Sequence, residues 1–175
     1  MPAGVEEFFL VLGRKSAAKG YSDVIAALEL IPAGHSLNIV MIGPDDDRAP
    51  VDHPGVAYLG RQPDAVVRGA LRECLGLINM SRSESFGMVL IEAALAGKPV
   101  LANRNCAAFA DIVEDGANGY LVSREDLPAR MLALQSDPTL RERLGREARI
   151  RAKKFDWTKV EQEFVRVCDA LVDAT

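Results

Sequence analysis

The chain has 175 residues, 49% of them hydrophobic and 26% charged, which suits one globular domain with a substantial core. Its net charge of −4 argues against a broad nucleic-acid or membrane surface, because either needs concentrated positive potential. Three scattered cysteines and two histidines match neither a disulfide framework nor a zinc site, and no segment has the length of apolar sequence that spans a bilayer. We therefore expect a cytoplasmic domain with reduced thiols and no metal.

Short apolar runs alternate with helical patterns over the first two thirds of the chain. The runs predict strands at residues 7–12, 37–42, 56–59, 74–78, 100–102 and 120–122. Helical spacing predicts helices at 21–30 and 88–97. Continuously apolar strands imply a sheet that is covered on both faces, and their alternation with helices implies parallel strands. The pattern is typical of a Rossmann-like, doubly wound α/β fold with a parallel sheet of about six strands.

The last third of the chain predicts helices alone. They cover residues 124–135, 138–154 and 157–172, with Asp-Pro and Phe-Asp-Trp breaks between them. Without an internal repeat or a linker, residues 1–175 are predicted to be a single domain. The acidic run Asp45–Asp47 is interpreted as an exposed loop, since it follows Gly43-Pro44.

Residues that follow the strands are candidates for a binding site, because ligands of open α/β sheets bind beyond the carboxyl ends of the strands. Gly13 follows the first strand, and Arg14, Lys15 and Lys19 come next. Cations at the start of a helix suit a phosphate group. The alternative is a solvated basic turn.

Two glutamates frame the helix after the fourth strand, Glu84 before it and Glu92 within it. The helix is predicted to begin near Gly87 and to point its free N–H groups into the cleft. Apolar residues surround Glu92, so the helix is expected to be buried nearly all round and Glu92 to meet a donor from the protein or a ligand. The alternatives are a helix-dipole role for Glu84 and an ion pair between Glu92 and Arg14 or Lys98.

These motifs resemble the C-terminal, donor-binding half of the retaining nucleotide-sugar glycosyltransferases of the GT-B fold, the group 1 family. The resemblance covers residues 13–20, 56–60, 84–100 and 111–119. It implies binding of a nucleoside-diphosphate sugar, and transfer of a hexosyl group to an acceptor hydroxyl with retention and without metal or other cofactor. Polysaccharide or glycolipid synthesis is the implied setting. An N-terminal acceptor-binding half is expected to be absent from this chain, which alone should have little activity.

The resemblance also implies a role for each motif residue. Arg14 and Lys19 would hold the diphosphate, and Glu84 would approach the hydroxyls of the transferred sugar. Glu92 would accept hydrogen bonds from the ribose. The other implied binding residues are Gly13, Phe86, Gly87, Met88 and Val89 near the sugar and phosphates, and Arg61 and Gln62 near the base.

The segment at residues 105–111 departs from the family pattern, because it has alanines where the family has a glycine pair. We expect a different loop shape there, and a core role for Cys106 rather than a nucleophilic one. Two other functions remain open: one half of a nucleotide-sugar epimerase or hydrolase, and a non-catalytic nucleotide-sugar-binding module. The apolar face of the last helix, with Trp157 and Phe164, could promote self-association if it is exposed.

Overall fold

The computed structural model describes residues 7–173, with side chains up to Val172. Residues 1–6 and 174–175 of the predicted domain lie outside this range. The described chain forms one parallel sheet in the order β3-β2-β1-β4-β5-β6. Its strands are β1 (Phe9–Leu12), β2 (Ile39–Ile42), β3 (Val56–Tyr58), β4 (Gly76–Asn79), β5 (Val100–Asn103) and β6 (Gly119–Val122). The predicted Rossmann-like fold is confirmed.

In the described chain, an α-helix follows each of β1, β3 and β4, and three α-helices come after β6. They are α1 (Tyr21–Leu28), α2 (Asp64–Glu73), α3 (Met88–Leu95), α4 (Leu127–Ser136), α5 (Pro138–Ala152) and α6 (Trp157–Asp173). Short 3₁₀ turns lie at Ala17–Lys19, Ala107–Asp111 and Lys153–Phe155. The predicted helices correspond to every α-helix except α2, which buries Ala70 and Leu71. Its sequence does carry helical spacing, because Val66 and Val67 precede Ala70 and Leu71 by four residues, so this helix could have been predicted.

The core lies on both faces of the sheet, because successive strand residues point to opposite sides. Leu10 of β1 belongs to the cluster that includes Leu71 of α2 and Leu90 of α3. The next residue, Val11, belongs to the cluster that includes Val24 of α1 and Met131 of α4. Both faces of the sheet are therefore buried, which explains why the strand sequences are continuously apolar.

The crevice of the fold lies between β1 and β4, where the strand order reverses. Gly20 caps α1 at a φ of +69°, and a Cβ on it would lie 2.1 Å from the carbonyl oxygen of Met80. Only glycine fits this left-handed position against the backbone that follows β4. The start of α1 is thereby brought close to the end of β4.

Helix α6 is exposed at every residue from Trp157 to Val172. Its apolar residues share this exposure, with Trp157 81% and Phe164 69% exposed. The apolar face of this helix is therefore exposed, which is the condition under which the sequence analysis expects self-association. Within residues 7–173, no helix combines the length and apolarity that a membrane span requires.

Candidate functional site

A cleft of about 290 Å³ opens at the carboxyl ends of β1 and β4. Most of the candidate residues selected from the sequence line it, together with residues that were not candidates. The selected ones are Gly13, Arg14, Lys19, Glu84, Phe86, Gly87, Met88 and Val89. Arg61, Gln62 and Glu92 do not line it.

Opposite charges meet across this cleft. The ammonium Nζ of Lys19 donates a hydrogen bond of 2.6 Å to Oε1 of Glu84. The hydroxyl of Ser81 donates to the same oxygen at 2.9 Å. Glu84 is therefore held by side chains of the protein, and the alternative in which it serves only the dipole of the following helix does not describe its contacts.

The amino end of α3 forms one wall of the cleft. Gly87 caps the helix at a φ of +98°, as the predicted start requires. The N–H groups of Met88 and Val89 belong to the first turn and have no acceptor within the helix. Together with the helix dipole, they offer an anion two donors and partial positive charge.

The segment that departs from the family pattern supports this helix start. Residues 107–111 form a 3₁₀ turn, and the buried ring of Phe109 lies beneath Gly87. A Cβ on Gly87 would approach that ring to 3.1 Å. Cys106 is buried and belongs to the hydrophobic core, which agrees with its expected core role.

The cations of the basic loop after β1 point to different places. Lys15 turns away from the cleft and is buried against the acidic loop, where its Nζ contacts Asp45 at 2.8 Å and also pairs with Asp47. Arg14 lines the cleft but is mostly exposed, with Asp46 at 3.6 Å. The acidic loop is exposed as expected, but it is more than a solvated turn because it neutralises a buried lysine.

The prediction that α3 is buried nearly all round is wrong. Glu92 is exposed and shares its face of the helix with Met88 and Leu95, which are 55% and 53% exposed. The helix covers the sheet with its other face, so an apolar sequence did not mean burial on every side. The side-chain carboxylate of Glu92 has no hydrogen bond or ion pair within residues 7–173, so the suggested pairing with Arg14 or Lys98 is absent there.

Glu92 instead lines a second groove, of about 590 Å³, between α2 and α3. Desolvation by the groove walls raises the pKa of the Glu92 carboxyl above its usual value, although the residue as a whole is exposed. Asp64 and Arg68 of α2 line the same groove. A ligand that contacts Glu92 must therefore reach past the main cleft.

Arg61 and Gln62 lie beyond the end of β3, two strands from the cleft. Arg61 is exposed, and the side-chain amide of Gln62 donates to the carbonyl of Leu59 at 2.6 Å. They share the carboxyl edge of the sheet with the cleft but lie outside its lining.

Several residues of the site escaped the sequence analysis. Tyr21 lines the cleft and donates its hydroxyl to the carbonyl of Gly13 at 2.6 Å, and burial raises the pKa of its phenol far above the usual value. Ser81, Asn79 and Asn103 are buried polar residues at the ends of β4 and β5. Buried polar residues after a strand are the signal that could have revealed them, since burial requires hydrogen-bond partners.

Comparison with known proteins supports the resemblance. The model of the family described as "Glycosyl transferases group 1" matches residues 3–151. The chain is 36% identical over 121 residues to an uncharacterized glycosyltransferase of Methanocaldococcus jannaschii, a match that covers 67% of this chain and 34% of the relative. It is 30% identical over 176 residues to a phosphatidyl-myo-inositol mannosyltransferase of Mycobacterium leprae, covering 93% and 46%.

Solved structures share the fold. Anabaena HepE in complex with UDP-glucose has a TM-score of 0.77 at 24% identity, over 93% of this chain and 49% of that one. Sucrose-phosphate synthase from Thermosynechococcus elongatus has a TM-score of 0.81 at 21% identity, over 98% and 47%. The chain thus spans about a third to a half of the length of these proteins. It belongs to the group 1 family of glycosyltransferases, and its Rossmann-like sheet matches one half of their GT-B fold.

Proposed function

We propose that this chain is the donor-binding domain of a longer glycosyltransferase and binds a nucleoside-diphosphate sugar between β1 and β4. The main observation behind the proposal is that Lys19, Glu84 and the amino end of α3 lie together in one cleft. Lys19 and the helix end suit an anion, and Glu84 suits a set of sugar hydroxyls. Family membership supports a glycosyl transfer role, and HepE was solved with UDP-glucose.

The diphosphate would lie against Lys19, Arg14 and the first turn of α3, with Gly13 allowing close approach. Met88 and Val89 would contribute backbone N–H groups, beside Phe86 and Gly87. Charge-assisted hydrogen bonds to a phosphate contribute about 1.5 to 3 kcal/mol each. The ligand would extend from this cleft along the outer face of α3.

The remaining parts of the ligand have separate candidates. Glu84 would accept hydrogen bonds from hydroxyls of the transferred hexose. Glu92, on the exposed face of α3, would accept from the ribose hydroxyls. Arg61 and Gln62, farther along the carboxyl edge of the sheet, would contact the base.

The proposed reaction moves a hexosyl group to an acceptor hydroxyl with retention. The bond between the anomeric carbon and the diphosphate oxygen breaks, a bond to the acceptor oxygen forms, and the acceptor proton passes to the departing diphosphate. Lys19, Arg14 and the α3 dipole would stabilise the negative charge that develops on the leaving group. No metal or other cofactor is part of this proposal. Glu84 would orient the sugar.

Several features belong to the longer protein. We propose that an N-terminal half binds the acceptor, in polysaccharide or glycolipid synthesis in the cytoplasm, and that the 175-residue chain transfers little by itself.

The exposed apolar face of α6 would promote self-association of the isolated chain. Sedimentation at increasing concentration, with Phe164→Glu as the comparison, tests that point. A monomer at all concentrations would contradict it.

Calorimetric titration with UDP, GDP and ADP tests the binding site. We expect one of these nucleotides to bind, and Arg14→Ala and Glu92→Ala each to weaken it by about tenfold. Arg124→Ala is the matched control, because Arg124 is an exposed, ion-paired arginine outside the cleft. Absence of binding by the unmodified chain, or unchanged affinity in both variants, would overturn the assignment.

The full-length protein separates the alternative functions. A transferase should release nucleoside diphosphate only when an acceptor hydroxyl is supplied. Release of free sugar without acceptor would indicate a hydrolase. Tight donor binding without either reaction would indicate a binding module.

A further inference from the structure

Ser81 is fixed in the structure by two buried asparagines. Its backbone N–H donates to Oδ1 of Asn79 at 3.0 Å, and its carbonyl accepts from Nδ2 of Asn103 at 3.1 Å. Ser81 is 0% exposed, and each asparagine is 7% exposed. Because both backbone groups are held from the ends of β4 and β5, the Ser81 hydroxyl starts from a rigid position at the floor of the cleft.

Glu84 receives both of its side-chain hydrogen bonds on one oxygen. Ser81 Oγ lies 2.9 Å from Oε1, and Lys19 Nζ lies 2.6 Å from it. Oε2 receives no hydrogen bond from residues 7–173. The carboxylate is thus held through one oxygen and can offer the other to a ligand hydroxyl.

The two donors differ in how firmly they can hold that carboxylate. Lys19 ends a flexible four-carbon chain, and its ammonium is attracted to any phosphate that enters the cleft. Ser81 has a short side chain, no charge and a backbone fixed by Asn79 and Asn103. If the Lys19 ammonium were to bind a phosphate, Ser81 would remain as the contact of Glu84.

We propose that Ser81 is a positioning residue that aligns Glu84 toward the sugar of a bound nucleoside-diphosphate sugar. This inference rests on the proposed function. Ser81 contributes to recognition of the sugar through Glu84, while nucleotide binding by Lys19 and α3 does not depend on it. Its removal should therefore affect the nucleotide sugar and leave the bare nucleotide unaffected.

The test compares UDP, GDP and ADP with UDP-glucose, GDP-mannose and ADP-glucose on the 175-residue chain by calorimetry. For the nucleotide that binds, we expect Ser81→Ala to weaken the sugar conjugate by about tenfold and the nucleotide itself by less than twofold. Ser83→Ala is the matched control, since Ser83 is an exposed serine of the same loop that does not line the cleft. It should change neither affinity.

A double-mutant cycle with Glu84→Gln distinguishes positioning from a merely structural effect. If Ser81 acts through Glu84, the double variant should bind the sugar conjugate no more weakly than Glu84→Gln alone. If Ser81→Ala does not fold, Ser81→Cys replaces it, because a thiol of similar size is a weaker donor. Additive losses, equal losses for nucleotide and conjugate, or unchanged affinity would overturn the proposal. Failure of all three nucleotides to bind the unmodified chain would instead overturn the proposed function.

Discussion

Lys19 and Glu84 join the two walls of the cleft, with Nζ and Oε1 at a distance of 2.6 Å. Lys19 belongs to the turn between β1 and α1, and Glu84 belongs to the loop between β4 and α3. Their side chains are 24% and 18% exposed, so water screens the pair only in part. In the unliganded protein these two charges pair with each other. The proposed ligand would contact Lys19 through its diphosphate and Glu84 through its sugar hydroxyls.

Replacement of Lys19 by methionine should weaken binding of the nucleoside diphosphate by about 10- to 100-fold, the loss expected for one charge-assisted hydrogen bond. Methionine keeps most of the side-chain length but removes the ammonium. Calorimetry measures the effect, with Lys98→Met as the control because Lys98 lies outside the cleft. Equal losses in both variants would indicate a general effect of charge.

Replacement of Gly20 by alanine should destabilise the fold severely, by about 3 kcal/mol or more, because the new Cβ would lie 2.1 Å from a backbone oxygen. Gly60 is the matched control. Its φ of +65° is close to the +69° of Gly20, but a Cβ there meets nothing within 4 Å. Gly60→Ala should therefore cost only about 1 to 2 kcal/mol of backbone strain, as measured by urea unfolding. Equal losses would contradict the steric explanation.

Replacement of Lys15 by methionine should lower the free energy of unfolding at neutral pH by about 1 to 3 kcal/mol. The buried Nζ donates to the carbonyl of Ala49 at 2.7 Å and pairs with Asp45 and Asp47, so its loss removes the anchor of the loop. Thermal melting measures the change. Lys159→Met, on exposed α6, should have no comparable effect.

The same lysine gives the protein an acid-sensitive contact. The hydrogen bond from Lys15 lowers the pKa of Asp47 below its usual value. A carboxyl whose pKa is lower in the folded state contributes stability above the unfolded value near pH 4, and this stability is lost as the pH falls through the folded value. The melting temperature should fall in that acidic range, and Lys15→Met should reduce this slope. An unchanged slope would contradict the pairing.

Replacement of Glu92 by glutamine should raise the melting temperature of the unliganded chain at pH 7. Desolvation raises the pKa of Glu92, so the folded state disfavours the ionised form. The destabilisation is absent below the unfolded pKa of about 4.3 and develops as the pH rises through the folded value, so the gain should vanish near pH 3.5. Glu73→Gln, an exposed position at the end of α2, is the control. An equal gain in melting temperature at pH 3.5 and at pH 7 would show that desolvation of the ionised carboxylate is not the cause.

Much of the fold could be predicted because its strands are buried on both faces. Phe9–Leu12, Ile39–Ile42 and Val100–Asn103 all fall in or within one residue of the predicted runs. Helix α2 was missed although Val66, Val67, Ala70 and Leu71 recur at the spacing of a helix. Arg68 and Arg72 occupy exposed positions between and beyond them and line the groove beside α3.

Less of the site could be predicted. The positions after β1 and β4 were selected correctly as the walls of a cleft, since parallel strands bring their carboxyl ends to one edge. The exposure of Glu92 and the turn of Lys15 toward the acidic loop were not. Lys15 pairs with Asp45 and Asp47, and Glu92 faces a groove formed with α2. These neighbours are distant in the sequence, so local patterns do not reveal them.

The amino-acid sequence by itself determined that the chain is a Rossmann-like domain, and its paired glutamates indicated the glycosyltransferase family. The tertiary structure alone decided that Lys19 meets Glu84, that Ser81 is fixed between two buried asparagines, and that one face of α3 remains open. Periodicity and motifs are local properties of the chain, whereas the contacts of Lys19 with Glu84 and of Asn103 with Ser81 join segments that are far apart in the sequence. Such contacts arise only when the sheet brings its carboxyl ends together.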